Sequence, residues 1–138
     1  MLVKAFIGGG IGYVTVDLGE LGPLPVTNTA ATVIGGETYD AQPTDTVFRA
    51  DSSNGEQPVI QLTTPTYIGQ KFTVYWEAWA TGAGQPVGPL VIAPSGIKMQ
   101  SVNGQSVSGS AGLVTETTLT TPGGEFTWEW TGTELISV

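Results

Sequence analysis

Residues 58–79 read Pro-Val-Ile-Gln-Leu-Thr-Thr-Pro-Thr-Tyr-Ile-Gly-Gln-Lys-Phe-Thr-Val-Tyr-Trp-Glu-Ala-Trp. The stretch predicts two strands joined by a short loop around Pro65 and Gly69. Side chains alternate between the faces of a strand. In the second strand Phe72, Val74, Trp76 and Ala78 therefore point one way, and Thr73, Tyr75, Glu77 and Trp79 the other. This is the densest aromatic region of the chain, so the core is expected to gather on the first set. Tyr75 and Trp79 are left as candidates for contact with a partner.

Working outward, the same grammar recurs. Asp45-Thr-Val-Phe-Arg-Ala50 predicts a strand, and Asp51-Ser-Ser-Asn-Gly55 a turn, because Asn-Gly tolerates the positive φ angles of tight hairpins. Val59-Ile-Gln-Leu-Thr63 is then the returning strand. Residues 26–35 suit a strand or a helical turn. Thr81 to Pro89 is a loop rich in breakers. Leu90-Val-Ile-Ala93 predicts a short strand buried on both faces, and Asn103-Gly104 a second hairpin. Leu113 to Thr120 predicts one strand. In Glu125-Phe-Thr-Trp-Glu-Trp130 the residues Phe126, Trp128 and Trp130 share a face. Leu135-Ile-Ser-Val138 closes the chain.

Turn signals about every 8–12 residues predict a sandwich or barrel rather than a βαβ fold. The expected architecture is all-β: a β-sandwich, jelly-roll-like, of about eight short antiparallel strands with little or no helix. Phe72, Trp76, Leu90, Ile92, Leu119, Phe126 and Trp128 are expected inside. The chain shows no exact internal repeat. Residues 1–25 are set apart as an N-terminal arm or first strand pair, and residues 26–138 as a single β-sandwich domain.

The opening is apolar and glycine-rich. Leu2, Val3, Phe6, Ile7 and Tyr13 accompany Gly8, Gly9, Gly10 and Gly12, and Gly22-Pro-Leu-Pro25 breaks regular structure. An apolar terminus is costly to leave in water. It is expected either to fold as a strand pair or to dock on a neighbouring subunit, with these five residues in the interface. Its apolar run is too short and too broken for a signal peptide or membrane span, so use without secretory export is expected.

Composition narrows the chemistry. The 138 residues suit one domain, which buries roughly two-thirds of its unfolded surface. Without cysteine or histidine the chain lacks thiolate ligands, the commonest general base and the commonest metal ligand. Four Lys+Arg against twelve Asp+Glu give a net charge of −8. Lys4, Arg49, Lys71 and Lys98 are scattered, so neither nucleic acid nor an anionic membrane is an expected partner.

The plentiful reactive groups are carboxylates. Glu77 and Glu129 sit among tryptophans, and such a pair suits glycoside hydrolysis when one pKa is raised by an apolar pocket. Alternation instead turns both outward, so no catalytic residue is expected. Asp51, Asn54 and Glu56 offer oxygen ligands, yet their spacing is not that of a calcium loop and a turn explains them. No cofactor or metal site is expected. Gly8-Gly-Gly-Ile-Gly12 lacks the helix and lysine of a phosphate loop.

Five pieces follow one another from Gly36 onward: Asp45-Thr-Val-Phe-Arg-Ala-Asp51, Ile60-Gln-Leu-Thr-Thr-Pro65, Gly69-Gln-Lys-Phe-Thr-Val74, Leu90-Val-Ile-Ala-Pro-Ser-Gly96 and Phe126-Thr-Trp-Glu-Trp130. In that order they resemble small β modules of tailed-phage virion proteins. The chain departs from them in its loop at 81–89 and in its N-terminal segment. In length it is similar to capsid decoration, or cement, proteins. The resemblance implies a viral structural protein on the outer capsid surface of the virion, stapling neighbouring subunits. Its partners would be the major capsid protein and further copies of itself, as a dimer or trimer. The alternative implied is a head- or tail-fibre module recognising host surface glycan through Tyr75, Trp79 and the 81–89 loop.

Overall fold

A computed structural model describes residues 2–6, 13–17, 30–82, 84, 86–102 and 112–138, the first two segments by backbone alone. Among these residues the protein is all-β, with thirteen strands and no helix. The strands are β1 (Leu2–Phe6), β2 (Tyr13–Asp17), β3 (Ala30–Ile34), β4 (Thr38–Asp40), β5 (Val47–Ser52), β6 (Val59–Gln61) and β7 (Lys71–Trp79). They continue as β8 (Leu90–Ile92), β9 (Met99–Gln100), β10 (Leu113–Val114), β11 (Glu116–Thr118), β12 (Glu125–Trp130) and β13 (Leu135–Ser137).

Eleven of the strands form two mixed sheets. One has seven strands in the order β10-β9-β13-β12-β7-β5-β3, the other four in the order β11-β8-β6-β4. Strands β1 and β2 pair antiparallel, Phe6 opposite Tyr13, as a two-stranded ribbon that is a sheet of its own. Residues 30–34 are a strand, the first of the two readings of that segment.

The expectation of about eight antiparallel strands is corrected in both number and direction. From β3 to β8 the chain changes sheet at every connection. Strands β3, β5 and β7 thereby become parallel neighbours in one sheet, and β4, β6 and β8 parallel neighbours in the other. A parallel neighbour requires a crossover, and here the crossover is a strand of the opposite sheet. Strand β13 also meets β9 in parallel. The remaining pairings are antiparallel, β12 with β7 and with β13 among them.

The same winding corrects the reading of 58–79. Strands β6 and β7 lie in different sheets, so they are not a joined pair. The Asp51–Gly55 turn does form, with Gly55 at φ 81° and its N–H bonded to Ser52 O at 2.9 Å. It is a corner between sheets rather than a hairpin. Residues 113–120 likewise split: β10 joins the seven-stranded sheet and β11 the other. Asn103-Gly104 lies outside the described residues.

Corners stack where the rungs stack. Gly35 N–H donates to Asp51 O at 2.7 Å, and Gly36 N–H to Gln57 O at 3.0 Å. A Cβ on Gly35 would run into the Asn54 side chain and the Glu56 carbonyl, so two corners approach this closely only with glycine there. The ladder continues through Val59 N–H to Glu37 O and Leu90 N–H to Pro58 O.

One apolar cluster takes residues from both sheets. The seven-stranded sheet contributes Val33, Phe48, Phe72, Val74, Trp76, Met99, Trp128 and Leu135. The four-stranded sheet contributes Ile60 and Val91, with Leu62, Ala93 and Leu119 just beyond its strand ends. Three expected core residues differ. Leu90 and Ile92 are half-buried on the outer side of β8, and Val91 between them fills the core. Phe126 is half-buried and packs against the cluster from its rim.

Among the described residues, buried side-chain polar atoms all have hydrogen-bond partners. Trp128 Nε1 donates to Gln100 O at 2.9 Å, tying β12 to β9. Asp45 accepts from the Tyr39 hydroxyl at 2.7 Å and from Gln42 N–H at 2.8 Å, which closes the turn before β5.

The loop after β7 returns to the core at Gly88, which is buried. A Cβ there would collide with the Leu119 carbonyl oxygen and press on the Trp76 ring. Gly88→Ala is therefore expected to destabilise the fold by about 1–3 kcal/mol in chemical denaturation, the usual range for overpacking. Gly82→Ala, in the same loop but open to solvent, is expected to change stability by less than about 0.5 kcal/mol. Equal effects of the two substitutions would contradict this packing.

Candidate functional site

The outer face of the seven-stranded sheet is set by register. Thr32 lies opposite Arg49, Arg49 opposite Tyr75, and Tyr75 opposite Glu125. These four residues make one row across β3, β5, β7 and β12. Alternation places them outside because Val33, Phe48, Ala50, Val74 and Trp76 take the inside.

The register slips once. Ala50 faces Trp76, but Asp51 faces Ala78 and Ser52 faces Trp79, so β7 carries one extra residue at a bulge. A bulge bends its strand and re-aims the side chains that follow. Beyond it Trp79 stands opposite Ser52, which is fully buried, and meets Trp76 edge-on with ring centres 6.3 Å apart. Trp76 Nε1 donates to Ser52 Oγ at 2.9 Å and to Ala78 O at 3.1 Å. Ser52 Oγ in turn donates to Ala78 O at 3.3 Å. The bulge is thus held by a small buried hydrogen-bond network.

Beside it lies an open cleft of about 570 Å³, lined by Val47, Arg49, Tyr75, Trp76, Glu77, Trp79 and Gly123. Arg49 Nη1 stands 3.5 Å from Glu77 Oε1, with both side chains 53% exposed. An ion pair this exposed adds little to stability, so the two groups are available to a ligand. Glu125 lies directly across the strand pair from Tyr75. Its carboxylate, through hydrogen bonding first and negative charge second, and then a small desolvation, raise the phenol pKa above its ordinary value, and Arg49 opposes them.

The residues singled out from the sequence fall into three places. Tyr75 is 39% exposed and lines the cleft. Trp79 also lines it but is half-buried, with part of its ring against the core. Leu2, Val3 and Phe6 lie on β1 and Tyr13 on β2, while Ile7 lies outside the described residues. The structure brings Tyr75 and Trp79 together and adds Arg49, Val47 and Gly123, which sequence reasoning did not select. Arg49 meets Tyr75 only because β5 and β7 are parallel neighbours, and no local pattern signals that pairing.

Glu77 and Glu129 do not form a pair. Lys71 is opposite Glu129, and Glu77 is six positions further along β7, about 20 Å away at strand rise. Carboxylates that cooperate on a glycosidic bond stand about 5–9.5 Å apart. Asp51 and Asn54 use their oxygens locally: Asp51 Oδ1 accepts from Ser53 N–H at 2.9 Å and Asn54 Oδ1 from Glu56 N–H at 3.0 Å. Among the described residues no three acidic side chains converge as a metal would require.

Comparison with family models and with curated proteins finds no match for this chain.

The cross-strand placement of Glu125 against Tyr75 has a measurable consequence. The folded state favours the neutral phenol, so this contribution is present below the ordinary tyrosine pKa and disappears as pH rises through the raised one. Tyr39, bonded to Asp45, shifts the same way. In an alkaline titration followed by phenolate absorbance, Tyr75→Phe is expected to remove a late-ionising phenol. Glu125→Gln is expected to bring Tyr75 back toward 10.0. Removal of an ordinary phenol by Tyr75→Phe would contradict this influence of Glu125 on Tyr75.

Proposed function

We propose that the protein is a viral structural protein that binds the outer capsid surface and stabilises contacts between neighbouring capsid subunits. The observation that carries this reading is the β1–β2 ribbon, a two-stranded sheet separate from the two larger ones. A lone two-stranded ribbon is marginal in water. This one is built from Leu2-Val-Lys-Ala-Phe6 and Tyr13-Val-Thr-Val-Asp17, whose apolar content calls for a covering surface. A neighbouring subunit supplies such a surface, either as a groove or as a free sheet edge to which a strand is added. Within the described residues, β3 (Ala-Ala-Thr-Val-Ile) is an uncharged edge strand paired on one side only, which suits a second copy of the chain as one acceptor.

The body is then the rigid part. We read the two sheets as faces of a β-sandwich, supported by the single apolar cluster that draws on both. The parallel pairings weigh against a jelly roll. Binding only to assembled shell would stabilise that shell by mass action. The proposed partners are the major capsid protein and further copies of this chain, as a dimer or trimer, at the capsid surface of the virion.

Deletion of residues 1–12 tests the role of the ribbon. The truncated protein is expected to keep its β-sheet circular-dichroism spectrum and to lose capsid occupancy by about tenfold or more at concentrations that saturate the full chain. Full occupancy by the truncated protein would remove the ribbon from the mechanism.

A further inference from the structure

We propose that the cleft beside the β7 bulge is a binding subsite for a neutral sugar. The inference stands on the cleft alone and does not depend on the capsid role. Small-molecule sites combine a concave, largely apolar lining with a few convergent polar groups that fix orientation. Here the lining is aromatic and aliphatic (Trp79, Tyr75, Val47), and the polar groups are the Arg49 guanidinium and the Glu77 carboxylate.

Each part matches a feature of a pyranose. The C–H face of the ring needs an apolar aromatic surface. Tyr75, which is exposed, and the uncovered part of the half-buried Trp79 supply it, both lining the cleft. The hydroxyl groups need a donor-only and an acceptor-only partner side by side. A guanidinium supplies N–H donors and an ionised carboxylate accepts, so one hydroxyl can accept from Arg49 while its neighbour donates to Glu77. The exposure of both side chains keeps these functions available without leaving a buried charge unpaired.

Charge selects the class. Among the described residues Arg49 is the sole cation lining the cleft, and it is already paired with Glu77, while Glu125 lies one strand away on the same row. A chain with net charge −8 adds long-range repulsion to an anion. Sialylated or phosphorylated sugars are therefore disfavoured against neutral ones.

The test is a glycan array carrying neutral and sialylated oligosaccharides. Titration of tryptophan fluorescence follows, using each neutral oligosaccharide that registers. The full chain is expected to bind neutral glycans and to show saturable quenching. Arg49→Ala, at an exposed position, is expected to weaken binding by about tenfold or more with an unchanged thermal midpoint. Trp79→Ala is expected to abolish it. Failure of every neutral glycan to bind, binding confined to sialylated glycans, or unchanged affinity in Arg49→Ala would each overturn the proposal. Capsid occupancy of Arg49→Ala, expected to equal that of the unmodified chain, keeps this result separate from the fate of the capsid reading.

Discussion

The structure depends on the parallel pairing of β5 with β7. Through it Phe48, Ala50, Val74 and Trp76 are brought side by side on the inner face, and all four are essentially buried. The pairing places Arg49 against Tyr75 on the outer face. It ends in a bulge fixed by the Ser52, Trp76 and Ala78 hydrogen bonds. Core, outer row and cleft are three consequences of one ladder. An unsatisfied indole N–H at Trp76 would cost about 1–3 kcal/mol, and the Ser52 hydroxyl is placed to prevent that.

Strand positions were legible where alternation was strong. In β7 the buried set Phe72, Val74 and Trp76 follows the period of two, as does Trp128 in β12. Turn residues were legible too, since Gly55 takes the left-handed conformation that Asn-Gly announces. Which strands pair was not legible. A glycine corner that reverses the chain within a sheet and one that passes it to the opposite sheet use the same residues. The choice between them is made by long-range packing, here by corners close enough that Gly35 tolerates no side chain. Trp79 shows the local cost of that blindness. Strict alternation turns it fully outward, and the single extra residue at the bulge brings part of its ring back to the core.

The candidate site was half legible for the same reason. Tyr75 was found from its own strand. Arg49 and Gly123 belong to other strands and turns, and become its neighbours only through pairing. Proximity in the sequence also misled. Glu77 and Glu129 each sit between aromatic residues, yet the register holds them too far apart to act together.

The proposed function rests on a division of labour. The two larger sheets share an apolar cluster, whereas the β1–β2 ribbon belongs to neither of them. A separate ribbon of apolar sequence beside a two-sheet body is what the proposed attachment to a repeating surface would use. A reconstruction of the assembled particle bearing this protein measures that arrangement directly. Density for the body is expected astride the boundaries between capsid subunits, with the ribbon continuing onto a neighbouring subunit. A body located on a fibre, or a ribbon folded back on its own body with no neighbour touching it, would contradict it.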